Sequence, residues 1–166
     1  MRRIAVISDT HGTFDAALRG FVEGCDEVWH AGDVGGAGVA LADEIAACRP
    51  LRCVWGNVDG AEMRRAFRQF ETFECEGVRV VMTHIGGYPN RYTPEARAYI
   101  ERFRPKIFIS GHSHILKVMY DERYDLLHIN SGGAGNYGIH RVRTAVRFTI
   151  DGNDIRDLEV GEWLRS

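Results

Sequence analysis

The feature that most constrains the fold is a series of short apolar, β-branched runs, each ending in a polar or glycine-containing turn. Helical patterns separate the first three runs, and this alternation is typical of βαβ units with buried, parallel strands. The predicted strands in this part of the chain are 3–8, 27–31, 51–55, 78–83 and 106–110.

Three helical patterns accompany these strands. The first runs over 14–22, where Thr13 is the expected N-cap and Gly24 the expected stop. An alanine-rich pattern predicts a second helix over 39–48. A third helix is expected to open after Thr93, because the proline that follows it is favoured in a first helical turn.

The pattern changes in the second half of the chain, after Ser110. Strand-type runs there are joined by short polar connections, with no convincing helical pattern between them. Such spacing predicts antiparallel hairpins. The predicted strands are 115–120, 126–130, 145–150 and 155–160.

These patterns together predict a fold class. Strands that are buried on both faces need a covering layer on each side. We therefore expect an α/β (α+β) fold, a four-layer αββα sandwich of two mixed β-sheets flanked by helices. The 166 residues suit a single domain over 1–166, which would bury about two-thirds of its unfolded surface.

Composition argues against several classes of protein. The net charge of −2 gives no overall attraction to nucleic acid or to an anionic membrane, and no apolar run is long enough to span a bilayer. The apolar start is interrupted at Asp9, so we interpret it as a strand and not as a signal peptide. The four cysteines show no CxxC spacing, which predicts free thiols and a cytoplasmic protein.

Metal-capable side chains follow five of the predicted strands. Because ligand sites form where strand ends gather at one rim of a sheet, we expect these side chains to converge. Oxygen and imidazole donors without thiolate favour manganese, iron, zinc, nickel or cobalt over an all-oxygen magnesium or calcium site. The candidate ligands are Asp9, His11, Asp33, Asn57, His84, His112 and His114.

Each of these motifs also has an ordinary structural explanation. A lone histidine such as His11 or His84 is more often hydrogen-bonded in the core or exposed, and Asp33 or Asn57 at a strand end is more often a cap or turn residue. Five motifs in order, all after strands, favour the metal site.

The order of the motifs resembles a known family. Asp9-x-His11, Gly32-Asp33, Gly56-Asn57, His84 and Gly111-His112-x-His114 reproduce the pattern of the calcineurin-like metallophosphoesterase superfamily. The compact length is similar to the small stand-alone phosphodiesterase-like group, whose fold also resembles the retromer scaffold subunit. The resemblance implies a metal-dependent phosphoesterase with a double-sheet sandwich.

The resemblance also implies a ligand set for two divalent metal ions, with manganese expected and iron, zinc, nickel or cobalt as alternatives. The catalytic residues would be Asp33, Asn57 and His84, around a metal-bridging hydroxide that attacks the phosphorus in line with the leaving group. Asp33 would bridge the two ions. One ion would be held by Asp9, His11, Asp33 and His114, and the other by Asp33, Asn57, His84 and His112.

The chain departs from the family pattern at Val58. Many members have a histidine there that assists leaving-group departure, and valine donates no proton. This favours activated esters and phosphodiesters over monoesters. His30 and His140 are conceivable replacement acids, and Asp59 is expected either to orient a neighbour of the metals or to shape a turn.

Substrate residues are expected in the loops 85–91 and 130–137 and nearby. Arg91 or Arg141 is a candidate for gripping phosphate, and Tyr88 or Tyr137 for stacking on a base or sugar. Solvated arginines and packed aromatic rings are the ordinary explanation for all four.

Alternative functions remain open from the sequence alone. The expected partner is a small phosphoester, with no membrane partner, and either a phosphomonoesterase or a non-catalytic protein-interaction scaffold is the alternative. A nuclease is disfavoured because no stripe of basic residues with interleaved aromatics is visible. A dimer is possible through strand edges or Trp163, for which packing within the chain is the plainer expectation.

Overall fold

The computed structural model describes residues 1–166 and contains two five-stranded sheets, a two-stranded hairpin and four helices. The strands are β1 (Arg2–Ile7), β2 (Glu27–His30), β3 (Leu51–Cys53), β4 (Phe70–Cys75), β5 (Val78–Thr83), β6 (Gly87–Tyr88), β7 (Arg91–Tyr92), β8 (Ile107–Ser110), β9 (Lys117–Asp121), β10 (Leu126–Asn130), β11 (Val142–Asp151) and β12 (Asp154–Leu164). The helices are α1 (Ala16–Glu23), α2 (Val39–Cys48), α3 (Ala61–Ala66) and α4 (Pro94–Phe103).

Both large sheets are mixed. The first has the order β12-β11-β1-β2-β3, in which β1, β2 and β3 are parallel, β11 is antiparallel to β1, and β12 is antiparallel to β11. The second has the order β4-β5-β8-β10-β9, in which β5, β8 and β10 are parallel and the two outer strands are antiparallel. The parallel strands direct their carboxyl ends toward one rim in each sheet.

Alternating side chains divide the interior into three apolar layers. In β1, Ile4 and Val6 join a central cluster between the sheets, whereas Ala5 and Ile7 pack beneath α1 and α2. In the second sheet, Val81 faces α4 while its neighbours face the central layer. Each sheet is therefore buried on both faces, which confirms the four-layer αββα sandwich.

Helix boundaries follow local capping. Helix α2 spans the predicted residues, and α4 begins as expected because the Thr93 side chain accepts a hydrogen bond from the Ala96 amide. The expected Thr13 cap of α1 is wrong: Asp15 is the N-cap, and its carboxylate accepts from the Leu18 amide. Gly24 ends α1 as predicted.

The second half of the chain contains only two of the expected hairpins. Strands β9 and β10 form one, and β11 and β12 form the other around Gly152. Strand β10 instead pairs in parallel with β8, and the chain then crosses to the first sheet, so the hairpin expected between β10 and β11 is wrong.

Three further elements were not predicted from the sequence. Edge strand β4 carries Glu71, Thr72 and Glu74, which interrupt its apolar pattern. Helix α3 and the β6–β7 hairpin are too short to give a clear periodic signal. The structure has no helix with the length and apolar character needed to cross a membrane. All four cysteines are free, as expected.

Candidate metal centre

The predicted ligands lie where the parallel strands of both sheets end. Asp9, Asp33 and Asn57 follow β1, β2 and β3, while His84 and His112 follow β5 and β8. Backbone hydrogen bonds tie these ends together: the Asp9 amide donates to the Gly32 carbonyl at 2.9 Å, and the Gly111 amide donates to the His84 carbonyl at 2.9 Å. The backbone therefore fixes the rim on which the site is built.

Left-handed backbone occurs at five of the seven candidate ligands. Such φ angles cost about 1–3 kcal/mol in a residue with a side chain, and they concentrate at functional sites. They also let a two-donor motif aim both side chains at one point, which flat strand backbone does not allow. The residues and angles are Asp9 (53°), His11 (45°), Asp33 (58°), His112 (74°) and His114 (63°).

The side chains form two adjoining clusters. In the first cluster, ligand atoms of Asp9, His11 and His114 lie within 4.8 Å of one another. In the second cluster, ligand atoms of Asp33, His84 and His112 also lie within 4.8 Å of one another. Asp33 reaches both, since its Oδ2 lies 3.0 Å from His84 Nε2 and 3.7 Å from His11 Nε2.

Asn57 completes the second cluster. Its Oδ1 lies 3.1 Å from His84 Nε2 and 3.0 Å from His112 Nδ1. All seven candidate ligands are thus brought together at one rim.

The donor atoms fit a bound cation. His84 Nδ1 donates to the Ala31 carbonyl at 2.8 Å, which directs Nε2 at the Asp33 and Asn57 oxygens. Burial opposes protonation of His84, but the Asp33 carboxylate raises the pKa of this imidazole. Asp9 Oδ1 and His11 Nε2 are buried without a hydrogen-bond partner. Buried polar atoms without a hydrogen-bond partner are costly, and a cation bound between these two would remove that cost.

The two carboxylates are held ionised. Burial by itself would raise the pKa of Asp9, but the imidazoles of His11 and His114 hold that pKa far below its usual range. Burial opposes ionisation of Asp33 in the same way, and His84 lowers the pKa of this carboxyl. Both aspartates therefore supply negative charge to the rim at neutral pH.

Comparison with known proteins identifies the family. The sequence pattern of the calcineurin-like phosphoesterase superfamily domain matches residues 1–153. The chain belongs to this superfamily. A probable metallophosphoesterase of Methanothermobacter thermautotrophicus is 30% identical to this phosphoesterase over an alignment of 137 positions, which covers 78% of this chain and 75% of the relative.

Solved structures share the fold of this phosphoesterase. Vps29 of Chaetomium thermophilum has a TM-score of 0.74 at 13% identity and covers 99% of both chains. Vps29 of Entamoeba histolytica complexed with Zn²⁺ has a TM-score of 0.71 at 19% identity, with 99% of both chains covered. A predicted phosphoesterase from Streptococcus pneumoniae has a TM-score of 0.67 at 22% identity, and the match covers 99% of this chain and 90% of the Streptococcus protein.

Asp59 organises the backbone beneath the phosphoesterase site. Its buried carboxylate accepts hydrogen bonds from the amides of Asp33 (3.0 Å), Val34 (3.4 Å), Gly35 (3.1 Å) and Gly56 (2.8 Å). A side chain at Gly56 would collide with the Asp33 carboxylate. Asp59 therefore joins the loops after β2 and β3 and orients the Asp33 backbone. Its amide also donates to the Gly56 carbonyl at 3.0 Å, which is the expected turn role.

The two candidate replacement acids have other hydrogen-bond partners. His140 Nε2 donates to the Gly135 carbonyl at 3.0 Å, so its neutral Nδ1 accepts from His114 Nδ1 at 3.1 Å. Buried His30 lies 2.9 Å from the Thr10 hydroxyl, accepts from the Gly32 amide at 3.1 Å, and has its pKa lowered to about 4 by burial. Neither ring presents a free N–H to the metal rim.

The candidate substrate residues occupy different places. The Tyr137 ring lies 4.8 Å from the His11 ring and lines a cavity of about 700 Å³ beside the clusters. The Tyr88 hydroxyl instead hydrogen-bonds to Ser113, between two candidate ligands. Arg91 and Arg141 are exposed and do not line this cavity.

Three neighbours of the site were given no individual role from the sequence, although Asn130 begins the loop 130–137 that was expected near the substrate. Ser113 lies between the candidate ligands His112 and His114, and this position in the sequence could have indicated that it adjoins the site. Asn130 donates to the Gly111 carbonyl at 3.0 Å and to Ser113 Oγ at 3.2 Å. Arg165 lines the cavity from the far end of the chain, where no local pattern indicates a site.

Proposed function

We propose that this chain hydrolyses phosphodiesters by using two divalent cations held at the shared rim of its sheets. The observation that carries the proposal is the convergence of seven oxygen and imidazole donors from five strand ends, with buried donor atoms that lack partners. Membership of the calcineurin-like phosphoesterase superfamily supports the reaction class. We also infer that residues 1–166 act as one domain.

The proposed ligand set assigns four residues to each cation and shares Asp33 between them. A shared carboxylate offsets the repulsion between two cations about 3.5–4 Å apart. When bound, the cations lower the pKa of water, polarise the phosphoryl oxygens and leave a net positive site for the phosphate anion. One ion would be held by Asp9, His11, Asp33 and His114, and the other by Asp33, Asn57, His84 and His112.

The surrounding residues prepare these donors. His84 Nδ1 donates a hydrogen bond to the Ala31 carbonyl, and His114 Nδ1 donates one to His140 Nδ1, so Nε2 is the nitrogen of each ring that is left to bind a cation. Asp59 holds the Asp33 backbone in its left-handed conformation. The protein therefore sets the tautomers and orientations before a cation arrives.

The preference for diesters rests on Val58. Its amide donates to Asp33 Oδ1 at 3.0 Å, so position 58 lies at the rim, but its side chain has no proton to give. General acid assistance is worth about 10²–10⁴-fold. Substrates whose leaving group needs that assistance, including most monoesters, should react slowly.

Manganese is the proposed cation, with iron, zinc, nickel or cobalt as alternatives for this donor set. The four free cysteines support a reducing, cytoplasmic location.

Hydrolysis of bis(4-nitrophenyl) phosphate after manganese addition tests the proposal. Asp33→Ala should lower kcat/KM at least about 100-fold, because residues that only support a metal ligand already contribute about 10–100-fold. Asp43→Ala is the matched control, because Asp43 is exposed on α2. Inactivity of the unaltered protein across a panel of metals and phosphoesters would contradict the proposed function.

A scaffold function is the second candidate, because several fold neighbours are Vps29 proteins. Metal analysis after dialysis separates the two. A scaffold is favoured by less than one bound ion per chain, whereas two ions per chain favour the enzyme.

A further inference from the structure

Exposed apolar residues adjoin the metal rim. Val58, Ile85 and Ile115 each come directly after a proposed ligand, and their side chains are 52%, 44% and 63% exposed. Single exposed apolar residues are normal on protein surfaces. Each of the three is bonded to a proposed ligand, so exposed apolar residues adjoin the polar metal centre.

The cavity beside His112 and His114 also has exposed apolar residues. Tyr137 and Ile139 line it and are 67% and 99% exposed. Arg165 is the one arginine or lysine among the lining residues. The volume of about 700 Å³ lies within the range of pockets that hold small organic molecules. A phosphoryl group at the metals would leave this space for its organic substituent.

The side chains of the cavity suit a flat aromatic group. Contact with His11 orients the Tyr137 ring while most of the ring stays open for stacking. Ile139 adds an aliphatic surface, and the Arg165 guanidinium can stack on an aromatic plane. One arginine is a poor match for a nucleic-acid strand, which needs a track of cations.

We propose that this cavity binds an aryl group of the substrate, so that the enzyme acts on aryl phosphoesters. The inference rests on the proposed phosphoesterase function and adds the class of leaving group. Val58 supports it independently, because an aryl group leaves without a general acid. A water oxygen forms the new bond to phosphorus, the phosphorus–aryl oxygen bond breaks, the phenolate takes the electron pair, and the proton of water passes to solvent.

Binding of two unreactive phosphonates to the manganese-loaded protein tests the proposal. Phenylphosphonate should bind at least about 10-fold more tightly than methylphosphonate, a difference typical of one aromatic stacking contact. Tyr137→Ala should reduce this preference to about 2-fold or less. The readout is the ratio of the two affinities within each variant, so a change at the metals that affects both phosphonates equally cancels. Tyr120→Ala is the control, because Tyr120 is an exposed tyrosine on β9 outside the cavity.

The outcomes distinguish failure of the aryl site from failure of the proposed phosphoesterase function. Equal binding of both phosphonates, or equal effects of the two alanine variants, overturns the aryl site and leaves the metal centre standing. Binding of neither phosphonate, nor of inorganic phosphate, overturns both proposals. Self-association in sedimentation that Ile139→Ser abolishes, without aryl preference, would assign the surface to a second copy of the chain and overturn the aryl site.

Discussion

Asp59 is a single residue on which the geometry of two loops depends. Four backbone amides donate to its carboxylate, and truncation would leave them buried without an acceptor. We expect Asp59→Ala to lower the free energy of unfolding by about 2–4 kcal/mol, and Asp59→Asn to fall between it and the unaltered protein. Urea unfolding measures this, with Asp43→Ala as the exposed control.

A loss in Asp59→Ala no larger than that of the Asp43 control would show that the four hydrogen bonds contribute little.

His128 on β10 is a buried titratable residue with no hydrogen bond on either ring nitrogen. The Tyr88 and Phe108 rings lie 5.3 Å and 6.1 Å from its ring, and burial lowers its pKa from 6.5 to about 4. As pH falls from 7 to 4, the unfolded chain binds a proton at this position before the folded chain does. The folded state therefore loses stability over this range.

His128→Phe should remove that acid sensitivity. We expect the variant to match or exceed the unaltered protein at pH 7, because no hydrogen bond is lost. Toward pH 4 its advantage in free energy of unfolding should grow by about 2–3 kcal/mol. Urea titrations at several pH values measure this. An advantage that is independent of pH would show that His128 titrates normally, and His128→Leu checks for overpacking.

At the scale of elements, the β6–β7 hairpin supports the loop that carries His112 and His114. The Tyr88 hydroxyl contacts Ser113 and donates to the Ile115 carbonyl at 3.3 Å. The Asn130 side-chain amide donates to the same Tyr88 hydroxyl at 3.4 Å. A second tyrosine of the hairpin, Tyr92, donates to Asp121 at 2.7 Å on β9. The hairpin is therefore attached to the second sheet by both of its tyrosines.

Removing the Tyr88 hydroxyl should loosen this loop. Tyr88→Phe is expected to weaken manganese binding about 10-fold, because groups that orient metal ligands typically contribute 10–100-fold. Calorimetric titration with manganese measures the affinity. The control Tyr120→Phe removes an exposed hydroxyl that is hydrogen-bonded to Asp125, and it should leave the manganese affinity unchanged. Equal affinities in the two variants would contradict a supporting role for the hairpin.

At the scale of the whole molecule, the proposed cations would link the two sheets, because each sheet supplies some of the ligands. Asp9, Asp33 and Asn57 extend from the first sheet, and His84 and His112 from the second. The unfolded chain does not hold these donors together, so metal binding should stabilise the fold. The metal centre and the sandwich are therefore expected to be thermodynamically coupled.

Thermal unfolding tests this coupling. Free manganese at 100 times its dissociation constant should add about 2.7 kcal/mol per site to the free energy of unfolding and raise Tm, and EDTA should reverse the change. The shift should disappear in Asp33→Ala and persist in Asp43→Ala. A Tm that does not respond to any divalent metal would contradict the proposed centre.

The sequence by itself determined the elements with strong local signals. Strands β5 and β10 and helix α2 have the predicted bounds, because apolar periodicity and helix-ending signals act over a few residues. It also placed the seven candidate ligands at strand ends. Their joint location followed because the carboxyl ends of parallel strands meet at one rim.

Only the tertiary structure decided how distant segments meet. The crossing of the chain from β10 to the first sheet, and the positions of Tyr88, His140 and Arg165 beside the centre, leave no periodic signal. Pairing over long sequence separations depends on the packing of both sheets together, and the pattern of any one segment does not record it. Local chemistry thus supplied the donors, while long-range packing supplied their supports and the cavity.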